Sequence, residues 1–189
     1  MRLDLKPGFV VFAVMVGLVC RELTPLFFLT LALHETGHLV AAALLGGRIE
    51  KISLGFADCR IETAFSGYAA EAACALAGPL LNLVFCAVCR RTAPAFAAVS
   101  LLLGVYNLLP VWPLDGARWI YCLLCRKTEP GRAWALVRML GLAVCAVLLA
   151  FSLAAGAVWQ MGLWPLAVAL SVFARLALAV CGENGCFLT

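Results

Sequence analysis

The two histidines of this chain both fall in one short motif, His34-Glu35-Thr36-Gly37-His38. On a helix, residues four apart share one face, so the two imidazoles can bind a single metal ion. Zinc is the usual ion in a motif of this type, and the intervening glutamate acts as a general base. The pattern therefore predicts zinc bound by His34 and His38, with Glu35 beside it as the catalytic base.

The motif lies inside an apolar stretch, with PLFFLTLAL before it and LVAAALL after it. A motif this short also occurs by chance, and an intramembrane histidine often only bonds a neighbouring helix. Three ionisable groups in one membrane span are nevertheless costly, at about 2.5–3.5 kcal/mol each at the bilayer centre. Because a metal ion takes neutral imidazole as a ligand and compensates the glutamate charge, the location favours the metal site.

A catalytic zinc ion needs a third protein ligand and an open position for water. Two carboxylates are candidates, Glu71 near the start of one apolar stretch and Asp115 just after another. Asp115 ends the segment NLLPVWPLD, whose two prolines stop a helix. Irregular backbone at membrane depth is tolerated where it lines a watery cavity, which is where a metal ligand is needed. For Glu71 the alternative is pairing with an arginine of an inner loop, or extension of its head to the interface.

Composition indicates the environment of this site. Of 189 residues, 65% are hydrophobic and 13% are charged, whereas a soluble domain has about 45–50% apolar and about 25% charged residues. A water-soluble globule of this size cannot bury so much apolar surface. We therefore predict a polytopic membrane protein with the lipid bilayer as its surroundings. A soluble enzyme, a secreted disulfide scaffold and a nucleic-acid-binding module are excluded, the last because no basic run follows a phosphate backbone.

The predicted fold is all-α with about six transmembrane helices, because six apolar stretches approach the length of about 20 residues that a span requires. Their approximate ranges are 7–22, 24–46, 68–89, 95–110, 133–157 and 159–180. The first stretch follows MRLDLK and has a signal peptide as its alternative, but Arg21 and Glu22 replace a small-residue cleavage site. We favour an uncleaved span.

Lysine and arginine in the loops indicate the orientation, since cytoplasmic loops carry an excess of both. With the N-terminus inside, the outer loops contain only Arg21, Arg90 and Arg91. The inner segments then contain nine basic residues: Arg2, Lys6, Arg48, Lys51, Arg60, Arg118, Arg126, Lys127 and Arg132. Both termini are predicted to be cytoplasmic.

Two inner loops are predicted to have structure of their own. Residues 47–66 alternate apolar and polar side chains and contain turn-forming glycines, which is typical of a short β-hairpin, here on the cytosolic side. Residues 116–127 have the pattern of an amphipathic interfacial helix that ends before Glu129-Pro130-Gly131.

The chain has ten cysteines, including two pairs with CxxC spacing, Cys86/Cys89 and Cys122/Cys125. Four cysteines at such spacing can bind zinc. Most of these cysteines lie in apolar runs, where cysteine behaves as a small hydrophobic residue. That interpretation is preferred, and no disulfide framework is expected for thiols in the membrane or facing the cytosol.

HETGH on the second predicted span, together with NLLPVWPLDG about 70 residues later, resembles the site-2 protease family of intramembrane zinc metalloproteases. More narrowly, the pair resembles the branch of the stage IV sporulation protein FB, and the resemblance covers roughly residues 5–180. It implies a single metalloprotease domain over 1–189. The chain departs from the branch in one respect: members often carry a nucleotide-sensing domain after the sixth span, and here neither that domain nor a PDZ insertion is expected. It also implies zinc as the cofactor, held by His34, His38 and Asp115, and Glu35 as the catalytic base.

The resemblance implies further roles. Asn107, and Asn82 at the end of the segment AGPLLN, would bind substrate or polarise its carbonyl. Hydrogen bonding between helices is the alternative for both. The hairpin at 47–66 would pair with an unwound substrate as an added strand, since a transmembrane helix hides its peptide bonds until it is extended.

The implied function is cleavage of a membrane-tethered protein near the cytosolic face. The sporulation branch suggests an inactive pro-sigma factor or a similar regulator as the substrate, released for signalling during sporulation, and allows for inhibitory membrane partners. A transporter with an intramembrane metal site is one alternative, although the inverted repeats typical of transporters are not apparent. A non-catalytic membrane protein of the same fold is the other, although a binding protein has no use for a buried base.

Overall fold

A computed structural model describes residues 2–5, 22–55, 58–159 and 164–182 of the chain. These residues form two compact units, one up to Asn107 and one from Leu108 onward. The first predicted span, at 7–22, lies almost entirely outside the described residues, and so does the signal-peptide alternative.

The first unit contains helices α1 (Thr24–Leu44), α2 (Tyr68–Cys89) and α3 (Pro94–Asn107), each in contact with the other two. Glycines allow this packing. A Cβ atom on Gly37 of α1 would lie 2.8 Å from the Ala77 carbonyl oxygen of α2, and one on Gly104 of α3 would lie 3.3 Å from that of Pro79. Such close backbone approach is typical of helices that pack in membranes. Buried core side chains here are small apart from Phe96: Ala42, Ala72, Cys74, Ala75 and Ala97.

The first unit also contains a three-stranded sheet of order β1-β2-β3, formed by Arg2–Leu5, Arg48–Gly55 and Asp58–Ala64. Strands β2 and β3 pair antiparallel within the range 47–66 predicted as a hairpin, and β1 pairs parallel with β2. The fold was predicted as all-α with one hairpin at 47–66, so β1 is the strand of this sheet that the prediction did not include. Strand β1 was not predicted because a four-residue strand whose partner is distant in sequence has no local turn signal.

The second unit contains α4 (Asp115–Cys125), α5 (Pro130–Trp159) and α6 (Trp164–Gly182), with α5 in contact with both α4 and α6. An aromatic cluster of Trp112, Tyr121 and Trp134 has edge-to-face ring centroids 5.0–6.5 Å apart. Helix α4 occupies most of the range 116–127 that was predicted as an interfacial helix, and its location at a membrane interface stays a prediction.

Within the described part of the chain, three helices are long and apolar enough to cross a membrane: α1, α2 and the Pro130–Ala157 part of α5. Helix α3 has 14 residues, about 21 Å of helix, against a hydrocarbon core of about 30 Å. The apolar part of α6, Val168–Ala177, is also short. The apolar helices support a multi-pass membrane location, whereas the predicted number of six spans is not confirmed.

Candidate metal centre

His34 and His38 lie one turn apart on α1, and their Nε2 atoms are 3.2 Å apart. Two ligands that are each about 2.0–2.1 Å from a tetrahedral zinc ion are about 3.3–3.4 Å from one another. The imidazole pair therefore has nearly the spacing that a shared tetrahedral ion requires. His34 is buried, with 3% of its surface exposed, and His38 is half-buried.

Helix α2 holds the ring of His38 through a backbone carbonyl. The Nδ1 atom of His38 lies 2.8 Å from the carbonyl oxygen of Cys74. Because a carbonyl oxygen only accepts hydrogen bonds, Nδ1 carries the proton and Nε2 keeps its lone pair. A hydrogen bond of this kind fixes the tautomer that a metal ligand needs. No sequence pattern pointed to Cys74, because its backbone rather than its side chain makes this contact.

Helix α2 also contacts the other ring. The Nδ2 atom of Asn82 lies 3.1 Å from Nδ1 of His34, and Asn82 is completely buried. This is the hydrogen bond between helices that was the alternative to a substrate contact for Asn82. A direct contact between Asn82 and substrate stays a prediction.

Because Gly78 of α2 has no side chain, both imidazoles fit against its backbone. A Cβ atom at this position would lie 2.8 Å from Cε1 of His38 and 2.9 Å from Cε1 of His34, both too close for real atoms. The segment AGPLLN was singled out for its small residues, its proline and its asparagine. The contact of Gly78 with both imidazoles emerges only from the packing of α2 on α1.

Glu35 is half-buried on α1, beside His34 in sequence. Consecutive helical residues point about 100° apart, so Glu35 borders the face that carries the imidazoles. Glu71, one candidate for the third ligand, lies in the first turn of α2. It is about 10 Å along the helix axis from Gly78, with its Cα–Cβ bond tilted toward the helix N-terminus. This placement does not favour Glu71.

Asp115 belongs to the second unit, where it is the half-buried first residue of α4. The proline-containing segment before it is a tight loop, in which the Leu114 amide donates to the Val111 carbonyl at 2.9 Å. A Cβ atom on Gly116 would lie 2.8 Å from the Leu109 carbonyl oxygen and would also overlap the carbonyl group of Leu108. The helix break predicted from the two prolines is observed, and the role of Asp115 as the third ligand stays a prediction.

Asn107 is the last residue of α3, and its Nδ2 donates to the Leu103 carbonyl oxygen at 3.0 Å within the same helix. Its predicted substrate contact is untested. The six cysteines whose side chains the structure describes form no disulfide with one another. Of the two CxxC pairs, Cys86/Cys89 lies on α2 in the first unit and Cys122/Cys125 on α4 in the second.

Comparison with known proteins identifies relatives of this chain. No protein-family model matches the chain. The chain is 27% identical over 144 residues to a zinc metalloprotease of Methanocaldococcus jannaschii, covering 68% of this chain and 42% of that protein. It is 29% identical over 147 residues to the stage IV sporulation protein FB of Bacillus subtilis, covering 70% and 51%. The chain thus spans about half the length of the curated relatives it matches.

A solved site-2 protease from Methanocaldococcus jannaschii matches with a TM-score of 0.69 at 22% identity, over 93% of this chain and 88% of that one. The chain has the site-2 protease fold. The resemblance to the site-2 protease family and to its sporulation branch is confirmed by these matches. Relatives named as proteases support the predicted class, a zinc-dependent metalloendopeptidase of the membrane, and do not favour the transport or non-catalytic alternatives.

Proposed function

We propose that this chain is an intramembrane zinc metalloendopeptidase that hydrolyses a peptide bond of a membrane-tethered protein. The observation that carries the proposal is the pair of Nε2 atoms of His34 and His38, 3.2 Å apart on a helix long enough to cross a membrane. Gly78 keeps the space beside both rings clear, and the Cys74 carbonyl fixes the tautomer of His38.

In this proposal His34, His38 and Asp115 hold the zinc ion. Two imidazoles and one carboxylate leave a fourth position open, which is the donor set of a catalytic rather than a structural zinc site. When bound, the ion supplies a positive charge that acidifies water and polarises the scissile carbonyl.

Two other side chains handle protons and developing charge. Glu35, next to His34 on α1, accepts the proton of the attacking water and passes it to the leaving amine. Asn107 donates a carboxamide hydrogen to the oxygen on which negative charge develops, in exchange for its present bond to the Leu103 carbonyl.

The proposed substrate is a membrane-tethered regulator such as an inactive pro-sigma factor, cut near the cytosolic face. The sporulation role rests on the name of the Bacillus subtilis relative, and the cytoplasmic location of both termini rests on the distribution of lysine and arginine. Strand β3 is at the edge of the described sheet. An edge strand can accept an extended peptide as a further strand, which is how an unwound substrate segment would be held.

The variant Glu35→Gln tests the reaction. It keeps the size of the side chain and removes the base, so cleavage of a co-expressed single-span pro-sigma factor should stop while zinc content and helicity match the wild type. Glu129→Gln is the matched control, because Glu129 is exposed and far along the sequence from the motif, and cleavage should be unchanged. Full cleavage by Glu35→Gln would remove Glu35 from the mechanism.

The variant Asp115→Ala tests the third ligand. Loss of a direct ligand should weaken zinc binding by more than the roughly 10–100-fold typical of an outer hydrogen-bond partner. Zinc content would be measured on purified protein after dialysis against a chelator. Normal zinc stoichiometry in this variant would place the third ligand elsewhere, and Glu71→Ala would be examined next.

A further inference from the structure

Asn82 ends a chain of three hydrogen bonds that runs through both imidazoles. Since the Cys74 carbonyl can only accept, His38 donates through Nδ1 and accepts at Nε2. The Nε2 atom of His34, 3.2 Å away, is then the donor to His38. Nδ1 of His34 must accept, and its partner at 3.1 Å is the Nδ2 donor of Asn82. In this arrangement His34 is the tautomer with its proton on Nε2.

That tautomer of His34 cannot bind a metal ion through Nε2, because the lone pair is occupied by the proton. Metal binding requires the proton on Nδ1, where it would face the Nδ2 donor of Asn82. The carboxamide has an acceptor at its other end. The Oδ1 atom of Asn82 is buried and has no hydrogen-bond partner in the part of the chain that the structure describes. Rotation of the carboxamide by about 180° exchanges the two ends.

We propose that Asn82 is a positioning residue, whose carboxamide oxygen accepts the Nδ1 proton of His34 in the metal-loaded protein. The rotation exchanges a contact of Nδ2 for a contact of Oδ1, and it keeps the Nε2 lone pair of His34 directed at the ion. Helix α2 then holds both rings in the same way, His38 through the backbone of Cys74 and His34 through the side chain of Asn82. The inference rests on the zinc site of the proposed function and does not depend on peptide cleavage.

Zinc affinity of two variants tests the proposal, measured on the full chain in detergent by competition with a chromophoric chelator. Asn82→Asp keeps an acceptor oxygen at the same place, whereas Asn82→Leu keeps similar volume and has none. We expect Asn82→Leu to bind zinc about 10–100-fold more weakly, and Asn82→Asp to match the wild type or bind more tightly. If Asn82→Leu does not fold, Asn82→Ala gives the same comparison with a smaller side chain.

Ser100→Ala is the control. Ser100 of α3 is also completely buried, and its hydroxyl also has no hydrogen-bond partner among the described residues. Its loss should leave zinc affinity unchanged, which separates the acceptor role of Asn82 from a general effect of deleting a buried polar group.

Nitrogen NMR provides a readout that a purely structural role would not change. The chain has two histidines, so protein labelled with ¹⁵N-histidine gives four ring-nitrogen signals. In the zinc-loaded wild type both Nδ1 atoms should carry protons. In Asn82→Leu at saturating zinc, the Nδ1 signal of His34 alone should shift and its proton should exchange faster. Wild-type zinc affinity in Asn82→Leu, or equal weakening in Asn82→Asp, overturns this proposal and leaves the metal site standing. A wild-type chain that binds no zinc overturns both.

Discussion

Two regions present the predicted zinc ligands, and they differ in what holds them. In the first unit, the imidazoles of α1 lie against Gly78 of α2; in the second, Asp115 follows a proline-containing loop closed by Gly116. Both glycines lack space for a Cβ atom, but the atoms in the way differ. At Gly78 they belong to imidazole side chains, which can rotate away. At Gly116 they belong to backbone carbonyls, which cannot move without refolding the loop. A substitution at Gly78 should therefore mainly disturb metal binding, whereas a substitution at Gly116 should destabilise the fold of the second unit.

The variant Gly78→Ala should have the largest effect on activity. The added methyl group would displace both imidazoles, so zinc binding and cleavage should fall below detection. The melting temperature should change little, because side chains rather than backbone give way. Zinc content and thermal unfolding of the purified protein would be measured together.

Gly131→Ala is the matched control for Gly78→Ala. Gly131, in the first turn of α5, has no atom within 4 Å of an added Cβ, so both zinc content and cleavage should remain at wild-type values. Full zinc occupancy in Gly78→Ala would contradict the idea that this glycine keeps the imidazoles in place.

The variant Gly116→Ala, unlike Gly78→Ala, should lower stability as well as activity. Displacement of the Leu108 and Leu109 carbonyls should destabilise the second unit by about 2–3 kcal/mol, or about 4–12 °C in melting temperature for a chain of this size. Cleavage should fall by more than about 100-fold because Asp115 moves with the loop. Unchanged thermal unfolding would show that the loop adapts, and would remove the contrast with Gly78.

The variant Asn107→Ala should have a smaller effect. Loss of one donor to a developing oxyanion costs about 100–1000-fold when the donor is preorganised. The donor of Asn107 is bound to the Leu103 carbonyl, so we expect about 10–100-fold lower kcat with zinc affinity unchanged. A loss of zinc together with activity would assign Asn107 to the metal site instead of to the substrate.

The variant Trp134→Leu should have the smallest effect on activity. Its ring contacts those of Trp112 and Tyr121 edge-to-face, and such pairs contribute about 0.5–1.5 kcal/mol beyond their buried area. Thermal unfolding should occur a few degrees earlier, while zinc content stays at the wild-type value. A larger loss of activity than of stability would show that the aromatic cluster supports the Asp115 loop directly.

Much of the fold was predictable where the signal is local. The HExxH motif lies on a helix of spanning length, and a second such helix fills the predicted range 68–89. Helix α3 ends at Asn107, just before the segment that contains the two prolines. Predictions were less successful where the signal is not local. Strand β1 pairs with residues 49 positions away in sequence. Helix α3 ends at Asn107, three residues before Pro110, whereas the apolar stretch continues to residue 110.

The sequence by itself determined which side chains are candidates to bind a metal ion, because a spacing of four residues on one helix brings two imidazoles to one face whatever surrounds them. Only the tertiary structure decided how those imidazoles are held. Helix α2 meets these rings at three places: the Cys74 carbonyl, the Asn82 carboxamide and the open space at Gly78. All three face α1 because of how α2 is rotated about its axis and shifted along it. Those two quantities depend on the packing of whole helices, and no short stretch of sequence encodes them.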